Sequence, residues 1–275
     1  MSDSAAAKLK SLLDASGFPF QLAVEQAVRS LPESKGWRVT GREYPFRTAN
    51  GTKYIDLVVS NGMTHLVIEC KRSREATWVF LMPDEKQIKR SHARICWTDT
   101  KPQRRSLMGW GDVQVDPASP ESEFCAVRGQ GEKGTPLLER IASATSEAAD
   151  GLARDLLKLR RGEDVSNVVI PVIVTNTDLV VSAFHPSDVD LLTGDVNAPD
   201  FSAVQHVRFR KSLADSAVPD EFEPEFLDDL AAASERTVFV VRSSHLAQWL
   251  DDFQMSAPDQ SSPWVNARHA EEAMG

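Results

Sequence analysis

The sequence predicts an α/β protein built on a mixed central sheet with helices on its faces. Three observations carry that prediction. Apolar runs of strand length occur at 54–60 (YIDLVVS), 65–71 (HLVIECK) and 167–175 (NVVIPVIVT). Asn61-Gly62 separates the first two runs, a strong hairpin signal. Segments of helical period lie between the runs, with apolar residues Phe20, Val24, Ala27, Val28 and Leu31 forming one stripe.

In chain order, residues 1–17 read as a helix, with no continuous apolar core or cleavage signal of a secretory leader. Pro19 stands near the first turn of a second helix that runs to Leu31. Trp37 to Phe46 alternates loosely and is expected to be a strand, followed by the hairpin strands 54–60 and 65–71. Residues 84–95 are expected to form a basic helix. Residues 98–122, rich in Pro, Gly, Asp and Ser, are expected to be an insertion or long loop. Phe124 to Arg128 is a short strand and Thr135 to Arg161 a long amphipathic helix, weakened at its middle by Gly151. The run 167–175 has the apolar density of a buried strand despite Pro171. Strands follow at 179–184, 204–209 and 237–241, then a helix over 244–253. An acidic helix or loop is expected at 215–235. A single domain over 1–255 with a polar, mobile tail at 256–275 is the resulting organisation.

The 275-residue chain is long enough to build a core without covalent staples. Its three cysteines, Cys70, Cys96 and Cys125, are odd in number and contain no C-x-x-C pair, which argues against a disulfide framework or a structural zinc site. That usage suits a reducing cytoplasm, and no apolar run approaches the ~20 residues that cross a bilayer. The net charge of -9 argues against a nucleic-acid partner taken at face value. The charge is uneven, however. Residues 35–110 hold fifteen Lys or Arg against seven Asp or Glu, a balance of about +8, so the remainder carries about -17.

The basic third also holds the residues that point to chemistry. With Asn61 and Gly62 as the two loop residues, Ser60 pairs with Met63, Asp56 faces Val67 and Tyr54 faces Glu69. One hairpin face is then apolar throughout: Ile55, Leu57 and Val59 with Leu66, Ile68 and Cys70. The other face carries Asp56, His65, Glu69 and Lys71, with Asp56 and Glu69 as diagonal neighbours, their Cβ atoms ~7–8 Å apart or less. Two carboxylates at that separation can converge on one divalent cation. Such a cation acidifies a water and polarises a phosphoryl oxygen. Lys71 projects on the same side, near the position of an attacking water or a scissile phosphate. Any one of these charges is more often part of an ordinary ion pair. The three together on one hairpin favour a metal site.

Asp56, followed thirteen residues later by Glu69-Cys70-Lys71, resembles the motif of the PD-(D/E)XK nuclease superfamily. The order helix, three-stranded antiparallel meander, helix, strand is similar as well, over residues 18–72 with 167–175 completing it. Ile55 occupies the position of the name-giving proline, which is variable in such proteins. The resemblance implies a restriction-endonuclease-like core and hydrolysis of phosphodiesters, DNA before RNA, with Mg2+ or Mn2+. The metal would be held by Asp56, Glu69 and the backbone carbonyl of Cys70, and Lys71 would position the water or stabilise the charged transition state. It implies a third acid from the preceding helix, at Glu25, which otherwise reads as a solvated helix residue. A defence or repair role and a homodimer or partner protein are compatible with it.

Cations near the motif (Arg72, Arg74, Lys86, Lys89 and Arg90), interleaved with Trp78, Trp97 and Trp110, suggest a nucleic-acid groove rather than a solvated helix over core rings. Gln87 resembles a glutamine that some family members place near the site. Gly129, Gly131 and Gly134 satisfy G-x-G-x-x-G, but no acid-tipped strand follows at Rossmann distance, so a loop is the expected reading. The other histidines show no ligand spacing. The alternative to an enzyme is a catalytically inactive nuclease-like module that binds nucleic acid or protein. A third reading is a nuclease that acts only within a complex, with the acidic segment 215–235 as its docking surface.

Overall fold

The hairpin at 51–71 is the first part of the chain whose faces separate cleanly, and the rest of the architecture is arranged on its two sides. The structure is a computed structural model that describes residues 3–73, 77–82, 90–102, 106–127, 136–197, 199–213 and 227–255. Helices α1 (Asp3–Ser16) and α2 (Phe18–Arg29) meet at Gly17, whose φ of 80° is left-handed. An antiparallel meander follows: β1 (Arg38–Thr48), β2 (Gly51–Asn61) and β3 (Thr64–Lys71). After it come β4 (Thr77–Met82), β5 (Arg90–Thr100), β6 (Leu107–Ser119), the two-residue β7 (Glu121–Ser122) and β8 (Phe124–Val127). Helix α3 (Leu137–Leu159) leads into β9 (Val165–Thr175), β10 (Asp178–Ala183), β11 (Asp200–Val204) and β12 (His206–Ser212). Helix α4 (Leu227–Ser234), β13 (Glu235–Arg242), α5 (Leu246–Asp252) and β14 (Gln254–Met255) end the described chain.

The expected α/β architecture with mixed sheets and flanking helices is what the chain forms. The larger sheet has ten strands, with the path β1-β2-β3-β9-β13-β12-β7. β9 lies parallel to β3 and β13, whereas β5 runs antiparallel to it. One edge of β9 is therefore shared: Val165–Val169 pair with β5, and Val172–Thr175 pair with β13. Pro171 falls in the gap between these two ladders, where its missing N–H costs no ladder bond. A second sheet of four strands, β11-β10-β4-β8, stands beside the first.

Each face of the larger sheet has its own core. On one, Val24 and Val28 of α2 and Leu246, Trp249 and Leu250 of α5 cover Leu57, Leu66, Ile68, Ile170 and Val172. On the other, α3 spans two clusters. Its first turns, with Leu138 and Ile141, wedge between the two sheets, and its later half packs Ala149, Leu152 and Leu156 on Ile55, Val58, Val67 and Phe46. Gly151 does not interrupt α3. A Cβ there would lie 2.4 Å from Cδ2 of Phe46, so the glycine is what admits the ring against the helix.

Four expectations need correction. The hairpin turn is formed by Gly62 and Met63, not Asn61 and Gly62, because Asn61 pairs with Thr64 and Ser60 with His65. Gly62 supplies the left-handed φ of 58°, while Asn61 stays in the strand and its Nδ2 donates to the carbonyl of Lys35 at 2.9 Å. The slip is two residues, which by itself moves no side chain to the other face. Ile55, beyond the end of the β2–β3 ladder, nonetheless packs with Val58 and Val67 against α3, so the expected apolar face keeps Leu57, Val59, Leu66 and Ile68 but not Ile55. Secondly, residues 90–95 are strand rather than helix; Ala93, Ile95 and Trp97 alternate into the α2 core. Thirdly, the expected loop 98–122 is largely the strand β6, whose Val113 and Val115 enter the same core. Fourthly, 204–209 is two strands in different sheets, turning at Gln205. β4 is an element the sequence pattern leaves unassigned. The glycine-rich stretch 129–134, most of the acidic segment and the tail lie outside the described residues. Among the described residues no helix is long and apolar enough to cross a membrane.

Candidate active site

The site forms where the meander's ladder stops. β2 and β3 pair from Asn61↔Thr64 to Leu57↔Ile68. Continuing that register sets Asp56 directly across from Glu69, closer than the diagonal the sequence suggests. Backbone pairing gives way there to a side chain: Cys70 N–H donates to Asp56 Oδ2 at 2.7 Å. The carboxylate thus takes the place of a backbone acceptor, and Cys70 on that edge is left outside the β2 ladder.

Asp56, Glu69, Cys70 and Lys71, placed together by sequence reasoning, line one open pocket of about 560 Å³. Lys71 Nζ lies 2.5 Å from Glu69 Oε1. Burial and the like charge of Glu69 push Asp56 up to about 6, against the opposing pull of the Cys70 N–H and Lys71. Burial, with the charges of Asp56 and Glu69, also pushes the Cys70 thiol up, which keeps it protonated and unsuited to nucleophilic attack. Arg72 lines the pocket too, and its Nη1 donates to the Asp14 carbonyl at the end of α1.

Glu25 is not in this pocket. Its carboxylate, 2% exposed, accepts from Arg42 Nε and Nη2 at 2.7 and 2.6 Å and from Arg29 Nε at 2.8 Å. The Arg42 hydrogen bonds, with those of Arg29, hold it below the usual carboxylate range despite burial. The α2 residues that line the pocket are Phe18 and, one turn before Glu25, Gln21. Its Nε2 donates to Glu43 Oε1 at 2.7 Å and to the Asp56 carbonyl at 2.9 Å. Glu43 is the acid that sequence reasoning misses. It sits between the β1–β2 pairs Arg42↔Leu57 and Tyr44↔Ile55, hence opposite Asp56, with a φ of 47° that is rare outside glycine. The turn that sets this register is Ala49-Asn50, with Thr48 paired to Gly51; reading Asn50-Gly51 as the loop would put Glu43 across from Val58 instead, so the sequence signal falls two residues short.

The remaining expected residues divide. Arg90 begins β5, and neither the pocket just described nor its neighbour is lined by it. Arg74, Lys86, Gln87 and Lys89 lie outside the described residues. The three tryptophans are core: Trp78, Trp97 and Trp110 are 1%, 6% and 8% exposed, so their faces are not offered for stacking on bases. His65 is held between Ser60 Oγ at 2.8 Å and Asn167 Oδ1 at 3.3 Å, away from the acids.

Among the described residues no three His, Cys, Asp or Glu side chains are already gathered as a ready-made metal cage. The donor chemistry nonetheless fits a hard divalent cation bound through a few ligands and water. Asp56, Glu69 and Glu43 offer carboxylate oxygens, the Cys70 carbonyl is available beside them, and the raised Asp56 marks negative charge that Lys71 alone does not neutralise. No protein-family model matches the chain, and no curated protein or solved structure is found to be similar to it.

Proposed function

We propose that the chain is a metal-dependent nuclease that hydrolyses phosphodiester bonds. The observation that carries the reading is the convergence of Asp56, Glu69 and Lys71 in one open pocket at the point where the hairpin ladder ends. The resemblance to PD-(D/E)XK enzymes supports it, as does the order α2, β1–β2–β3, α3, β9, with β9 parallel to β3. On this reading the core is restriction-endonuclease-like, and the substrate is DNA before RNA. A cytoplasmic enzyme of defence or repair, acting as a homodimer or with a protein partner, is the setting that the same resemblance suggests.

Asp56 and Glu69, with the Cys70 carbonyl and Glu43, would hold Mg2+ or Mn2+. When bound, the cation supplies Lewis-acid stabilisation of the phosphoryl oxygens and lowers the pKa of water. Lys71 Nζ stands at the carboxylate of Glu69, where it stabilises negative charge that develops on the phosphate. Gln21 acts through others: its two hydrogen bonds tie Glu43 to the backbone of Asp56 and hold the two acidic strands in register.

The test is cleavage of plasmid and single-stranded DNA with Mg2+ or Mn2+, comparing wild type with Asp56→Ala and Lys71→Ala. Cutting by wild type and inert, folded variants are expected. If wild type does not cut, and binds DNA no differently from the variants, the chain is a binding module on a nuclease-like scaffold instead.

A further inference from the structure

The acidic pocket has a neighbour of opposite character. Glu69, Lys71 and Arg72 form the shared wall between it and a second pocket of about 430 Å³, so the two make one cleft across the C-terminal end of β3. Beyond that wall there is no further carboxylate in the lining. Arg140 reaches in from α3, and the floor is apolar: Trp78 of β4 with Leu137, Ile141 and Ala144 of α3. Residues 137, 140, 141 and 144 recur at helical spacing, so one face of α3 is turned to this pocket. Arg140 is exposed and makes no ion pair among the described residues. The indole N–H of Trp78 is buried with no acceptor among the described residues.

We infer that this pocket takes one unpaired nucleotide next to the scissile phosphate, which directs the enzyme to single strands or unpaired ends. The inference rests on the nuclease reading above. A cation beside an apolar floor matches a nucleotide, whose phosphate is anionic and whose base has apolar faces. The volume lies within the range of small-ligand sites. A base within a duplex is stacked and paired, and it reaches such a pocket only by leaving the helix, at a cost that is least when it is already unpaired. The base would lie against Leu137, Ile141 and Ala144 at the edge of Trp78. Arg140 and Arg72 would hold the phosphates on either side of it, with the reacting phosphate at Lys71.

The experiment is an anisotropy titration in EDTA of labelled oligonucleotides with the full chain: single-stranded DNA, single-stranded RNA, a duplex with a short overhang, and a blunt duplex. Unpaired strands and overhangs should bind about tenfold or more tighter than the blunt duplex. Ala144→Trp, which fills the pocket from an exposed helix position, and Arg140→Glu should each reduce binding of unpaired strands about tenfold while leaving the blunt duplex unchanged. Both sites are exposed, and an unchanged melting temperature checks the fold. Equal affinity for blunt duplex and single strand overturns the inference, as do wild-type affinity in both variants and a failure to bind any of the four. Metal-dependent cleavage that depends on Lys71 keeps the two readings apart. Cleavage without strand preference sinks the pocket and spares the nuclease. Preference lost in Ala144→Trp without any cleavage does the reverse. The DNA and RNA arms decide which sugar the pocket accepts.

Discussion

Glu25 and Asp56 are both acids withdrawn from solvent near the same helix, and their surroundings treat them in opposite ways. Glu25 lies under two guanidinium groups, with each carboxylate oxygen engaged, and its pKa is lowered. Asp56 receives one backbone N–H, faces a second acid, and is raised to about 6. The first charge is already compensated by the protein and serves the fold. The second is held in excess, which costs stability unless a cation arrives. The difference separates a carboxylate already compensated by the protein from one left open to a cation.

The contrast can be broken most decisively at the chemistry. Lys71→Ala and Asp56→Ala should each lower metal-dependent cleavage by about 10²–10³-fold or more, the usual loss when one charge-stabilising group is removed. Glu25→Gln should leave the cleavage rate within a few fold. A loss in Glu25→Gln as large as that in Asp56→Ala, in folded protein, would place Glu25 in the metal centre after all.

Stability against pH is the next largest contrast. Asp56 holds its proton more tightly folded than unfolded, so metal-free stability falls as pH rises between 3.8 and about 6 and stays reduced above that. Asp56→Asn should remove this slope and stabilise the metal-free protein at pH 7 by about 1–2 kcal/mol, a figure discounted for partial solvent access. Stabilisation of wild type by millimolar Mg2+ should grow as pH rises through 6, because cation and proton compete for the same oxygens. Thermal melts from pH 4.5 to 8, with and without Mg2+, measure both; a flat Mg2+ response across that range would remove Asp56 from the ligand set.

Glu25 has the reverse sign. Its folded pKa is below 4.5, so the stability it contributes is present above that value and is lost as pH falls through the folded pKa. Glu25→Gln should lower the melting temperature by a few degrees near neutrality, converging with wild type in acid. Smallest is the effect expected of Glu43→Gln: a severalfold weaker Mg2+ response with little change in the metal-free melt, since Gln21 can still bond the amide. An unchanged Mg2+ response would make Glu43 only a lining residue.

Alternation along the hairpin puts Asp56, Glu69 and Lys71 on one face, because a period of two survives a two-residue error in register. Helical period likewise places α2 and α3, whose stripes are continuous. The strands β5 and β6 are harder to read. Basic residues around 90–94 and the glycine and aspartate of 109–112 mask an alternation that emerges only when Ala93, Ile95, Val113 and Val115 are seen to meet one core. Glu25 is the site acid only by the family resemblance, since the helix stripe itself cannot say which turn meets the neighbouring strand; Arg42, brought over by β1, claims Glu25 and leaves Gln21 at the cleft.

The sequence by itself determined the class of fold, most of the hairpin's alternation and the three residues, Asp56, Glu69 and Lys71, that meet in one pocket, since these follow from local periodicity and short-range turns. Only the tertiary structure decided which acid is neutralised and which is not, that Glu43 opposes Asp56, and that an apolar recess from β4 and α3 adjoins the acids. Those depend on charges and surfaces meeting across long separations in the chain, where no local pattern records the partner.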